Sequence, residues 1–206
     1  MSTPSSRDPP RHGNETSLSL LERIKGKDTQ AWQRLLDLYR PLILHWCARW
    51  QVRGADADDV TQEVLQAVAQ SIGAYQREHD GKTRKFRHWL AGITRHKLRD
   101  LFRRRQRQPE AQGGSAVYQW FQEVPEPELA DDEADAAAIS GVYHRALDLI
   151  RSEFEERTWR MFWRVTVDGE PSRSVAAELG ISPAAVRKAK SRVLHRLREE
   201  VGDLIE

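Results

Sequence analysis

The sequence predicts an all-α fold: two small helical domains joined by an acidic flexible linker, the C-terminal one ending in a helix-turn-helix. Three observations lead there. Apolar residues recur at three- and four-residue spacings in every segment rich enough to build a core, and no stretch alternates as a strand would. Periodicity stops between Gln106 and Asp135, where Gly113-Gly114, Pro125, Pro127 and a run of acids replace it. Finally, Val175 to Arg198 carries a cap, a turn and a two-faced helix in helix-turn-helix order. Among 206 residues, 39 % hydrophobic content is enough for one or two real cores.

The elements follow in chain order. Met1 to Thr16, rich in Ser, Pro, Arg and Asn, reads as a disordered tail, and residues 1–17 are set apart on that basis. Leu18 to Ile24 is a short helix ended by Gly26. Asp28 caps a longer one whose Trp32, Leu35, Leu36, Tyr39, Ile43, Trp46, Cys47 and Trp50 share a core-facing side. Pro41 is expected to kink or split it, because proline removes a helical donor and crowds the preceding turn. Gly54 interrupts the chain. Asp56 is the expected N-cap of the next helix, with Asp59 in an acidic first turn that suits the helix dipole. Val60, Val64, Leu65 and Val68 point inward, leaving Asp58, Asp59, Gln62, Glu63 and Gln66 as a compact acidic and amide face. By itself such a face is more often simply solvated than a docking surface.

Gly73 to Lys85 is expected to be an exposed loop. The helix after it is anchored by Phe86, Trp89, Leu90, Ile93, Leu98, Leu101 and Phe102, and the rest of its surface is Arg, Lys and His. Charge is strongly segregated although the net value is only +2. Lys82 to Arg107 holds eleven basic residues against the single acid Asp100, and Glu123 to Asp135 holds acids with no Lys or Arg. Such blocks imply a polyanion partner, and basic side chains interleaved with aromatics suit nucleic acid, where cations meet phosphates and rings stack on unpaired bases. Most of the area of Phe86 and Trp89 nevertheless belongs in a core.

The second domain opens near Ala136, with Val142, Tyr143, Ala146, Leu147 and Ile150 on one helix and Phe154, Trp159, Phe162, Trp163 and Val165 on the next. In the helix-turn-helix, Val175, Ala176 and Leu179 face inward and Gly180 supplies a left-handed stop. Ser182 is the N-cap candidate and Pro183 takes the first helical position. Val186, Ala189, Val193 and Leu197 form the inner stripe. The outer face presents Arg187, Lys188, Ser191, Arg192 and His195, flanked by Lys190 and Arg196, as a helix lying in a major groove requires. Small Ala176 lets the two helices approach, and Ala184 leaves room for bases.

Three of these segments resemble the extracytoplasmic-function (ECF) sigma factors of the bacterial sigma-70 family. Asp59-Val60-Thr61-Gln62-Glu63 resembles the D-x-x-Q-E signature of region 2. Phe86 to Arg103 is similar to the segment W-L-x-x-I-x-x-N-x-x-x-D-x-x-R, matched at Trp89, Leu90, Ile93, Asp100 and Arg103, with His96 standing where the family usually has Asn. Val175 to Arg198 resembles region 4. The resemblance implies a region 2-like domain at 18–105, an acidic linker at 106–135 and a region 4-like domain at 136–206. It further implies docking on the β′ clamp helices of core RNA polymerase by Asp58, Asp59, Gln62, Glu63 and Gln66, with the β flap as a further partner surface. Recognition and melting of the -10 element would fall to Phe86, Trp89, Arg95, His96, Arg99 and Arg103. Reading of the -35 element would fall to Ser182, Ala184, Arg187, Lys188, Ser191 and Arg192. By the same analogy the linker threads toward the polymerase cleft, an anti-sigma protein is a candidate controlling partner, and the chain is a monomer within the holoenzyme.

Other classes fit less of the chain. A helix-turn-helix regulator outside the polymerase accounts for the C-terminal third but not for the acidic face or the basic helix. An enzyme is not expected: no metal-spaced His/Cys/carboxylate cluster, Gly-rich phosphate loop or nucleophile with its base is present, and neither metal nor cofactor is called for. Cys47 alone excludes an intramolecular disulfide and reads as a buried thiol. With no leader-like or membrane-spanning run, the expected location is cytoplasmic.

Overall fold

The computed structural model describes residues 19–76, 78–79, 82–83, 85–106 and 135–205. The tail at 1–17 lies outside these residues, as does the linker at 106–135 apart from its two end residues. The architecture is helical: α1 (Leu20–Lys25), α2 (Thr29–Arg49), α3 (Ala55–Ser71), α4 (Phe86–Gln106), α5 (Ala136–Ile150), α6 (Glu156–Thr166), α7 (Ser172–Glu178) and α8 (Pro183–Ile205). Within the expected loop at 73–85 there is more order than periodicity reveals. A single 3-10 turn, Ile72–Ala74, precedes an antiparallel hairpin of β1 (Glu78–His79) and β2 (Lys82–Thr83), with Glu78 opposite Thr83. Two-residue strands are too short to leave an alternating pattern.

Local chemistry explains the helix boundaries. Ser19 accepts from the Glu22 amide while the Glu22 carboxylate accepts from the Ser19 amide, a reciprocal capping box. Asp28 caps α2 through the Gln30 and Ala31 amides, satisfying two of its orphan donors. Asp56 is not the cap of α3. Gly54 holds that position at φ +59°, where a side chain would be strained, and its carbonyl receives the first helical amides, Ala57 at 3.0 Å and Asp58 at 3.2 Å. Asp56 is the second residue of α3, in its first turn, and is ion-paired with Arg105 of α4.

Nor does Pro41 split α2, which continues unbroken to Arg49. Proline removes the amide that would donate to the Asp37 carbonyl, and next to that gap Arg145 of α5 donates Nε and Nη2 to the Leu38 carbonyl at 3.1 and 2.9 Å. The exposed edge of Pro41 faces away from the core, while Leu38, Tyr39, Leu42 and Ile43 on either side of it are buried.

α3 packs on α4 and α2, α5 packs on α2, and α8 touches α1, α4, α5, α6 and α7. The main core runs from Leu20 and Leu35 through Trp46, Val64 and Leu98 to Val142, Phe162, Val193, Leu197, Val201 and Leu204. A smaller cluster holds Met161, Val175, Ala176, Val186 and Ala189. The inner stripe of α8 is therefore shared: its first two turns close the α7 cluster, and from Val193 onward it fills the core built by the N-terminal helices. Tyr143, expected on the apolar side of α5, is 40 % exposed instead.

Candidate nucleic-acid interface

α7 and α8 meet through the small cluster of Val175, Ala176, Val186 and Ala189, and Gly180 at φ +63° turns the chain between them. Ser182 Oγ accepts the Ala185 amide at 3.2 Å, so the cap expected from sequence forms. With the stripe buried, Ser182, Ala184, Arg187, Lys188, Ser191 and Arg192 are all exposed along one helix. His195, 72 % exposed, pairs with Glu199 one turn on. Beneath this surface Arg164 of α6 grips two carboxylates: Nε and Nη2 donate to Glu170 at 2.6 Å each, and Nη2 donates to Glu178 of α7 at 2.6 Å. Arg164 accordingly holds both carboxyls below their ordinary range, and its own guanidinium is held further into the charged form. No sequence pattern marks this clamp, because its partners lie 6 and 14 residues away across two elements.

The basic helix divides its expected residues. Phe86 is buried, 1 % exposed, in an aromatic cluster with Tyr39, Tyr75 and Trp89 at centroid distances of 5.0, 5.5 and 5.4 Å. Arg95 is also inside, at 3 %. These two therefore support the surface instead of forming it, since both are buried at opposite edges of the wide inward face of α4, which also holds Leu90, Ala91, Thr94 and Leu98. Trp89 is half-buried against Tyr75, while His96 and Arg103 are 71 % and 60 % exposed, and Arg99 lies between. Asp100 organises this strip, meeting His96 Nδ1 at 3.2 Å and Arg103 at 3.9 Å.

The acidic face of α3 also divides. Asp58, Asp59, Gln62 and Gln66 are exposed, with Asp58 bridging to Arg40 at 3.2 Å. Glu63 is turned toward α4 instead, paired with Arg104 at 2.9 Å and Lys97 at 3.9 Å. Beside this face a groove of about 540 Å³ runs between α2 and α3, floored by Leu36, Pro41 and Leu65 and edged by Asp37, Arg40, Asp58 and Gln62. The α2 contribution was not readable from sequence, since Leu36 looks like any core leucine until α3 is placed beside it. Among the described residues no cluster could hold a metal ion, and no helix is long and apolar enough to cross a membrane.

The Sigma-70 region 2 family matches residues 35–108, the stretch from α2 through α4. The ECF RNA polymerase sigma factor SigD of Mycobacterium tuberculosis is 28% identical over 193 residues, covering 92% of this chain and 85% of that protein. The ECF RNA polymerase sigma factor ShbA of Streptomyces griseus is 32% identical over 186 residues, covering 87% and 92%. A likeness of that extent places the chain in the ECF sigma factors of the sigma-70 family.

Proposed function

We infer that this sigma factor, which directs promoter-specific transcription, divides the work among three surfaces. The acidic face and groove of α2 and α3, through Asp58, Asp59, Gln62 and Gln66, dock on the β′ clamp helices of core polymerase, and the C-terminal half meets the β flap. Trp89, His96, Arg99 and Arg103 of α4 engage the -10 element as it opens, with Phe86 and Arg95 holding that strip in shape. α7 and α8 form a helix-turn-helix that reads the -35 element through Ser182, Ala184, Arg187, Lys188, Ser191 and Arg192. Residues 18–105 act as a region 2 unit and 136–206 as a region 4 unit.

The observation that supports this best is the division of α8: every proposed reading residue is exposed and every stripe residue is buried. Cations on such a face neutralise phosphates, and side chains near the helix N-terminus reach base edges. Neither surface need bind tightly alone, because core polymerase makes the second contact intramolecular. The bond-forming chemistry belongs to the polymerase. In vitro transcription with core enzyme on a randomised -35 library tests the reading: output concentrated on one sequence family is expected, and output indifferent to the -35 sequence contradicts it.

A further inference from the structure

The α4 strip proposed to meet the -10 element is rich in hydrogen-bond donors and poor in acceptors. Of its four side chains, Trp89, Arg99 and Arg103 carry N–H groups only, so they bond to a base edge only where it offers an oxygen or a ring nitrogen. His96 differs, and what it offers depends on a neighbour. A neutral imidazole has one N–H and one bare nitrogen, and the partner of each decides which is which. Asp100 Oδ2 lies 3.2 Å from His96 Nδ1, one helical turn away. A carboxylate can only accept, so Nδ1 carries the hydrogen. Nε2, on the other edge of a ring that is 71 % exposed, is left as an acceptor.

The carboxylate is fixed from its other side as well. Arg103 Nη1 stands 3.9 Å from Asp100 Oδ1, the oxygen that His96 does not use. Access to the ring is clear on the opposite flank. Gly92, one turn before His96 on the same face, is exposed, with nothing within 4 Å of the place where a side chain would begin. Glycine inside a helix costs stability, and here its bare backbone lets a base edge come close beside His96.

We propose that Asp100 is a positioning residue for promoter recognition: by fixing the His96 tautomer it makes Nε2 the acceptor for an exocyclic amino group, N6 of adenine or N4 of cytosine, at one position of the -10 element. Guanine and thymine present O6 and O4 at the same edge, and these oxygens would face Nε2 with no hydrogen between them. The strip thereby favours amino over keto bases at that position, the reverse of what an arginine there would select. This rests on the promoter reading above, and the two can fail separately.

The test is in vitro transcription by core polymerase with the full chain, at about pH 8.5, where imidazole is ordinarily neutral, on a library randomised across the -10 element. Wild type should favour adenine and cytosine over guanine and thymine by about 3- to 10-fold at one position, the effect of a single hydrogen bond made or left unmade. His96→Ala should erase that contrast and leave the other positions as they were. Asp100→Asn should reduce it below about twofold, because a side-chain amide can donate to Nδ1 and favour the other tautomer. Loss of the negative charge alone would instead raise output on all sequences together. His96→Gln brings an amide that needs no neighbour to set its acceptor, so adding Asp100→Asn to it should leave base preference unchanged. A contrast that survives Asp100→Asn, or a wild type selective in the -10 element with no contrast that depends on His96, overturns the proposal alone. So does an Asp100→Asn change of preference that is the same in the His96→Gln background. Output indifferent to the whole -10 sequence overturns the promoter reading and this proposal with it.

Discussion

Arg187 and Arg192 share the exposed face of α8, yet they sit at different depths along it. Arg187 is one turn from the N-terminus and, on the proposed reading, would reach base edges, whereas Arg192, further along, would meet phosphates. Arg187→Ala is expected to cost about 1–3 kcal/mol and relax preference at one or two -35 positions, while Arg192→Ala weakens all sequences about equally. Transcription from a randomised -35 library distinguishes the two; uniform loss in both variants makes the helix a phosphate anchor only. Arg164 acts one layer beneath. Glu170 and Glu178 are held below their ordinary value of 4.5, first by the hydrogen bonds from Arg164. Their lowered folded-state values mean a stabilisation fully present above about pH 4.5 and lost as pH falls through those values. In Arg164→Met the carboxyls return toward 4.5, so stability should fall less between about pH 5 and pH 3 than in wild type. Urea unfolding across that range measures it, and parallel pH curves refute it.

At the scale of elements, the α2–α3 pair turns a weak sequence signal into a shaped surface. Glu63 belongs to the α3–α4 seam through Arg104 and Lys97, so reversing its charge would disturb folding as well as docking. Asp59 and Gln62 are exposed and suit the test better. Asp59→Arg with Gln62→Arg should abolish co-purification with core polymerase while leaving the circular dichroism and melting temperature close to wild type. Retention of a folded double variant by core enzyme would place docking elsewhere. α2 illustrates the opposite case, in which a strong local signal is overridden. Proline predicts a break, but the helix runs on through Pro41, packed on α5, whose Arg145 donates to the carbonyl at Leu38.

For the whole molecule the decisive element is α8, which begins in one cluster and ends in another. A chain divided into independent halves would melt in two steps. With Val193, Leu197, Val201 and Leu204 seated among the N-terminal helices, the free protein is expected to unfold in one cooperative transition by scanning calorimetry. Leu197→Ala, which empties a site 8 % exposed in the shared core, should lower that single transition at a cost of about 2–5 kcal/mol. Two resolved peaks in wild type would show that the halves fold separately.

Helical periodicity, the cap at Ser182, the left-handed Gly180 and the exposed basic face of α8 were legible in the sequence, because each depends on residues within a turn or two of one another. The family was legible for the same reason, since its signatures are short local strings. What lay beyond reach depends on partners far along the chain. Gly54 displaced Asp56 as the cap of α3 because a positive φ was needed between α2 and α3, and Phe86 went inside because Tyr39 and Tyr75 arrived beside the start of α4. Asp135 is the clearest instance. As a letter in an acidic run it reads as solvated, and only tertiary structure, by bringing Trp46 and Arg49 to it, makes it a buried anchor. Sequence thus determined which surfaces exist, through contacts short enough to leave a period or a motif. Tertiary structure decided how those surfaces are held relative to one another, because buried charge pairs and shared cores join residues whose separation in sequence carries no pattern.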